Sequence, residues 1–224
     1  MKKISLLFFL SCMICWLNAG AQKQFSDAQV TYQVKVTLPA GSPAQAADLF
    51  ENSRLVYSFK SYLFRSDLYI GKKTYTNIRN ARDHSAVSLV DNGGGTKYLI
   101  RFNAAESAAE SKRFEGVRFT DESGSKEIAG YVCKKATGSL KDGTTFILYY
   151  TSELMPEDAD YNGRFKGLKG LPLEFETVTR NQVKMTMTAT HISLAPQPRA
   201  GFAIPTSGYR EISYTELQSL RKPQ

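Results

Sequence analysis

Gln29-Val30-Thr31-Tyr32-Gln33-Val34-Lys35-Val36-Thr37-Leu38 decides the fold class. Val30, Tyr32, Val34, Val36 and Leu38 fall on one side of an extended chain, and the five polar residues between them fall on the other. Successive side chains of a strand point to opposite faces, so this alternation specifies a strand with one dry and one wet side.

The flanking sequence repeats that texture. Strands are expected over 54–60, 62–70, 73–79, 86–91 and 96–103, with Asn92-Gly93-Gly94-Gly95 joining the last two. Glycine supplies the positive backbone angles of such a turn. Further hairpins are expected from 126–137 with 144–153 about Lys141-Asp142-Gly143, and from 171–179 with 182–194 about Arg180-Asn181. Ser42-Pro43 should cap a short helix running to Phe50, because serine and proline suit a helix start. Ala104 to Lys112 reads as an exposed helix or covering loop. Ser213-Tyr214-Thr215-Glu216 is a capping-box pattern opening a terminal helix. About ten strands with turn signals every 8–12 residues predict a mainly β (α+β) domain. Its expected form is a single curved antiparallel sheet or an unclosed barrel with a few short helices.

Residues 1–21 read differently. Lys2 and Lys3 precede an apolar stretch from Ile4 to Leu17, which ends in Ala19-Gly20-Ala21. A positive start, an apolar middle and an A-x-A site predict a secretory signal peptide cleaved after Ala21. Cys12 and Cys15 lack the small upstream residues that lipid attachment needs. Removing 21 of 224 residues leaves 203, expected to form one domain over 22–224. The 29 basic side chains become 27 against 21 acidic, a formal surplus of +6. Cys133 is the one cysteine beyond residue 21, so packing rather than an internal disulfide must hold an exported chain.

Chemistry-bearing patterns are sparse. His84 and His191 stand far apart, and no H-E-x-x-H or paired-cysteine spacing accompanies them, so no metal is expected. His191 falls in phase with Val183, Met185, Met187 and Ala189, which predicts a core or rim histidine. Ser123-Gly124-Ser125-Lys126 matches S-x-x-K but reads as a polar turn. Gly71-Lys72-Lys73-Thr74 lacks the upstream glycine of a phosphate loop. Asp158-Ala159-Asp160-Tyr161-Asn162-Gly163 fits the first half of a calcium loop, yet the twelfth position is Lys169. A solvated acidic loop is the favoured reading there, with calcium as the alternative. Cys133 is expected to pack as a small hydrophobe. No catalytic residue, cofactor or enzymatic activity is expected. The basic residues are dispersed, which argues against nucleic acid and leaves two equal readings, an anionic envelope surface as a partner or a merely solvated surface.

The segment from Ile128 onward carries a resemblance. It runs Ile128-Ala129-Gly130-Tyr131-Val132-Cys133-Lys134-Lys135-Ala136, then Phe146-Ile147-Leu148-Tyr149-Tyr150-Thr151. Gly167-Leu168-Lys169-Gly170-Leu171-Pro172-Leu173, Met185-Thr186-Met187-Thr188-Ala189-Thr190 and Phe202-Ala203-Ile204-Pro205-Thr206-Ser207-Gly208-Tyr209 follow. Over roughly 126–210 these motifs resemble a family of exported Gram-negative proteins of unknown function related to the GLPGLI group. The resemblance implies a lipoprotein-carrier (LolA/LolB-like) architecture, in which a curved sheet wraps an apolar cavity, and a periplasmic, outer-membrane-associated or secreted location. It brings no catalytic residues.

On that reading Val34, Phe64, Phe146, Leu148, Tyr150, Met185 and Met187 are the ligand-lining candidates. The expected function is a non-enzymatic envelope protein holding a lipid or lipoprotein acyl chain on an apolar concave face. The alternative is a secreted structural or protein-interaction module whose own side chains fill that face. A packed interior would favour the alternative.

Overall fold

The structure is a computed structural model that describes residues 22–43, 48–179 and 182–221. The expected signal peptide, most of the helix after Pro43 and the Arg180-Asn181 turn lie outside these residues. A 3-10 turn at Asp48–Phe50 ends the segment read as a helix.

The alternating stretch forms the long strand β2 (Asp27–Thr37), preceded by β1 (Lys23–Phe25). Four antiparallel neighbours then run outward from β2 as β3 (Arg54–Lys60), β4 (Leu63–Ile70), β5 (Lys73–Asn80) and β6 (Ser85–Asp91). β7 (Tyr98–Phe102) continues the meander and leads into helix α1 (Ala104–Ser111). Asn103 caps α1: its side chain accepts from the Glu106 amide, while the Glu106 carboxylate accepts from the Asn103 amide.

The second half adds β8 (Arg118–Ile128), β9 (Tyr131–Ser139), β10 (Thr145–Thr151), β11 (Leu154–Pro156), β12 (Leu171–Val178) and β13 (Lys184–Ser193). β14 (Arg210–Ile212) and helix α2 (Tyr214–Arg221) close the chain. Among the described residues twelve strands form one open, curved sheet, ordered β14-β7-β6-β5-β4-β3-β2-β13-β12-β10-β9-β8. β1 and β11 make a separate parallel pair. The expected mainly β, unclosed antiparallel sheet with short helices is therefore the observed class, apart from the parallel β14–β7 edge.

Three local expectations are corrected. The strand read over 126–137 is two strands. Ala129 and Gly130, at φ +50° and +83°, turn the chain between β8 and β9, and consecutive positive φ values suit a two-residue hairpin. The supposed polar turn Ser123–Lys126 lies inside β8, beside a register shift between Asp121 and Ser125. Finally, a bulge between Ala189 and His191 on β13 advances the phase by one residue. His191 therefore pairs with Thr31 on the wet face and is exposed rather than core.

Register fixes which residues share the inner face. Tyr32 lies opposite Leu55 and Ala189, Val34 opposite Met187, Val36 opposite Met185, and Phe175 opposite both Met187 and Leu148. These side chains form the main buried cluster. Burial of each such side chain contributes roughly 1.5–3 kcal/mol. At the far end of the inner face, α2 covers Ile100, Phe102 and Ile212. On the outer face the strap between β13 and β14 packs Ile204 and Tyr209 over Val87, Leu89 and Leu99. Arg65 ties the strap down by donating from Nη1 to the Gly201 carbonyl at 2.7 Å.

Candidate functional site

The inner face of the central strands is the site toward which the sequence points. β2 to β4 supply Tyr32, Tyr57, Phe59 and Phe64, and β12 supplies Phe175. Their rings meet edge to face: Tyr57 and Phe64 at 5.1 Å, Tyr32 and Tyr57 at 5.2 Å, and Tyr32 and Phe175 at 5.6 Å. Edge-to-face contact sets the positive ring edge against a negative face and adds about 0.5–1.5 kcal/mol per pair. The Tyr32 hydroxyl donates to the Pro172 carbonyl at 2.9 Å, bridging β2 and β12 beneath the rings.

This face is occupied by the chain itself. β10 and β12 are adjacent antiparallel strands, which a short hairpin could join. Instead residues 152–170 leave the sheet, pair once as β11 with β1, and fold back over the aromatic floor. Phe165, 2% exposed, stands edge-on to Phe175 at 5.0 Å. Tyr161, 3% exposed, meets Phe64 at 4.9 Å and Phe59 at 5.0 Å. Leu168 is buried beside them. The half-match to a calcium loop is thus the tip of an apolar plug, and the solvated-loop reading is corrected. Asp158 accepts the Asp160 amide at 3.0 Å, Lys166 pairs with Asp160 at 2.7 Å, and the Asn162 amide donates to the Tyr57 hydroxyl at 3.3 Å.

Arg164 anchors the plug. Its guanidinium lies 4.2 Å from the Phe146 ring centroid and within 5.9 Å of Phe165 and Phe175, and it donates from Nη2 to the Glu176 carbonyl. Burial pushes it down to about 10, because a desolvated cation is disfavoured. Its Nε and the Tyr161 hydroxyl are buried without a hydrogen-bond partner among the described residues. Desolvation raises the Tyr32, Tyr57 and Tyr161 hydroxyls above the usual phenol range, so all three stay neutral. Tyr150 is pushed up to about 12 by burial and by its hydrogen bond to Asp121 at 2.9 Å.

All seven ligand-lining candidates come together. Val34, Phe64, Leu148, Tyr150, Met185 and Met187 belong to the main buried cluster, and Phe146 is half-buried against it. They are packed by their own neighbours, and none lines any of the four clefts described in the molecule. Sequence reasoning missed Tyr161, Phe165 and Leu168, whose signal was two aromatics four residues apart inside an apparently polar loop. Cys133 is fully buried, as expected, and burial pushes its thiol up to about 11.

An opening lies to one side. It is a cleft of about 430 Å³ between the inner face of β5 and β6, helix α1 and residues 160–166. Among the described residues no group of three or more His, Cys, Asp or Glu side chains is placed to hold a metal ion. No helix among them is long and apolar enough to cross a membrane.

No known protein family's profile matches the chain, and no curated protein matches it. Among solved structures, PNGF-II is similar in two crystal forms, with 16% identity and TM-scores of 0.47 and 0.46 over 87% of this chain. MucB is similar over 81% of this chain, with 12% identity and a TM-score of 0.38. The chain spans about a third of PNGF-II (33% and 32%) and 58% of MucB.

Proposed function

We propose that this chain is an exported, non-enzymatic module of the cell envelope that acts through its surfaces rather than by holding an apolar ligand at its centre. One observation carries the reading: Tyr161, Phe165 and Leu168 occupy the aromatic inner face that an acyl chain would need. Export rests on the Met1–Ala21 pattern, and the resemblance to exported proteins of the GLPGLI-related group agrees with it. Beyond the carrier-like sheet, the chain needs no chemistry of its own to bind a partner.

Lipid carriage is the second reading, and a specific observation favours it. The plug is held with two buried polar groups unanswered, the Tyr161 hydroxyl and Arg164 Nε, each of which costs roughly 1–3 kcal/mol. These unanswered groups lower the cost of releasing the plug to expose the rings beneath. Displacement of a fluorescent fatty acid separates the two readings. The module reading predicts no saturable uptake of the probe by the folded protein. Saturable uptake, abolished by a disulfide that pins the plug to the sheet, would establish lipid carriage instead.

A further inference from the structure

The inner face of the sheet is not uniformly apolar. Between the aromatic core on β2–β4 and the α2-covered patch on β7 and β14 runs a polar stripe on β5 and β6. Asn77 lies opposite Ser88, with the Ser88 hydroxyl donating to the Asn77 side-chain carbonyl, and Arg79 lies opposite Ala86. These residues form the floor of the 430 Å³ cleft, with α1 as one wall and residues 160–166 as the other. That volume lies within the ~300–1,000 Å³ range of small-molecule sites.

Two cations, Arg79 and Lys166, and two carboxylates line the cleft, and they differ in how they are engaged. Its two carboxylates are engaged: Asp160 by Lys166 at 2.7 Å, and Glu110 by the Gln218 amide at 2.8 Å. Arg79 donates from Nη1 to the Asp160 carbonyl and forms no ion pair among the described residues. His84 reaches the cleft from the β5–β6 turn, where its backbone sits at φ +56°.

We propose that this cleft binds a small organic anion rich in hydroxyls, an acidic monosaccharide by chemical class. Arg79 and His84 meet the acid group, while Asn77 and Ser88 supply the mixed donors and acceptors that a polyol requires. The cleft takes residues 160–166 of the plug as a wall, so the proposal rests on the seated plug of the reading above, and the fatty-acid displacement and the sugar titration report on the two separately.

The test is a titration of the purified protein, followed by backbone amide shifts, with D-glucuronate, D-glucose 6-phosphate and neutral D-glucose. Saturable shifts at residues 77–88 and 104–111 are expected with a dissociation constant on the order of 1 mM for at least one acid. Glucose should bind about ten-fold more weakly or not at all, a difference of about 1.4 kcal/mol. Binding of glucuronate alone, phosphate alone or both supports the site and identifies the acid group. Ala108→Trp, on an exposed position of α1 that lines the cleft, should abolish the shifts by filling it. His84→Asn keeps a residue that tolerates the left-handed backbone and should weaken the acids several-fold while leaving the melting temperature unchanged. The proposal is overturned if neither acid saturates by roughly 20 mM. It is equally overturned if glucose binds as tightly as the acids, or if binding survives Ala108→Trp.

Discussion

Truncating Phe165 to alanine removes the ring that seats the plug on the sheet. The side chain is 2% exposed, so its burial contributes roughly 1.5–3 kcal/mol. Its edge-to-face contact with Phe175, at 5.0 Å, adds about 0.5–1.5 kcal/mol. The cavity left behind cannot fully collapse, because the sheet beneath is hydrogen-bonded on both sides, and the total should reach about 3–5 kcal/mol. Equilibrium urea unfolding followed by far-UV circular dichroism reads this directly. With a slope of about 3 kcal/mol per M, the midpoint should fall by about 1–2 M with the slope unchanged. Tyr161→Phe is the companion. It keeps the ring and deletes a buried hydroxyl that has no partner, so stability should stay level or rise by up to ~1 kcal/mol. A loss below about 1 kcal/mol for Phe165→Ala would refute the reasoning, since it would place the segment outside the cooperative core.

Three further outcomes follow from particular contacts. Gly170→Ala would put a Cβ 2.0 Å from the Thr151 carbonyl oxygen, forcing β10 and β12 apart; a loss of about 3 kcal/mol or more is expected in a thermal melt. Cys133, its thiol pushed up to about 11, should react with iodoacetamide at pH 8 about a hundred-fold more slowly in the folded protein than in urea. Asp27 anchors the strap by accepting from the Gln197 amide at 2.8 Å, and it pairs with the Lys60 ammonium of β3 at 3.0 Å. Burial alone would raise its carboxyl, but these hydrogen bonds hold it below the usual range. Its contribution is therefore full above the unfolded value of about 3.9 and is lost as pH falls through the folded value. The difference in melting temperature between the parent and Asp27→Asn should be present at pH 7 and shrink as pH falls below about 3.9.

The sheet was legible because most of its strands carry their own instructions. The alternation of 29–38, the hairpin at Lys141-Asp142-Gly143 and the meander from Arg54 to Phe102 state period and turn locally. Two register shifts were not legible. A bulge at Thr190 turns His191 outward without any local marker, and a bulge in β8 lets a serine- and glycine-rich run pass as a turn. The Ala129-Gly130 turn hid for a similar reason, since alanine gives no sign that it will adopt a positive φ. The seven candidates on the inner face were found because they obey period two. What covers them was not, because the plug has no periodicity and its aromatics sit among acidic residues that suggest a solvated or calcium-binding loop. The cleft beneath α1 had a weak signal of its own, polar residues at the inward positions of β5 and β6.

The central claim is that the aromatic inner face is filled by the chain's own Tyr161, Phe165 and Leu168. Native mass spectrometry of the protein recovered from cells under mild conditions tests it most directly. The account predicts the mass of the polypeptide alone, with no lipid-sized adduct lost on collisional activation. A stoichiometric acyl-chain adduct that disappears when the plug is pinned to the sheet would contradict it.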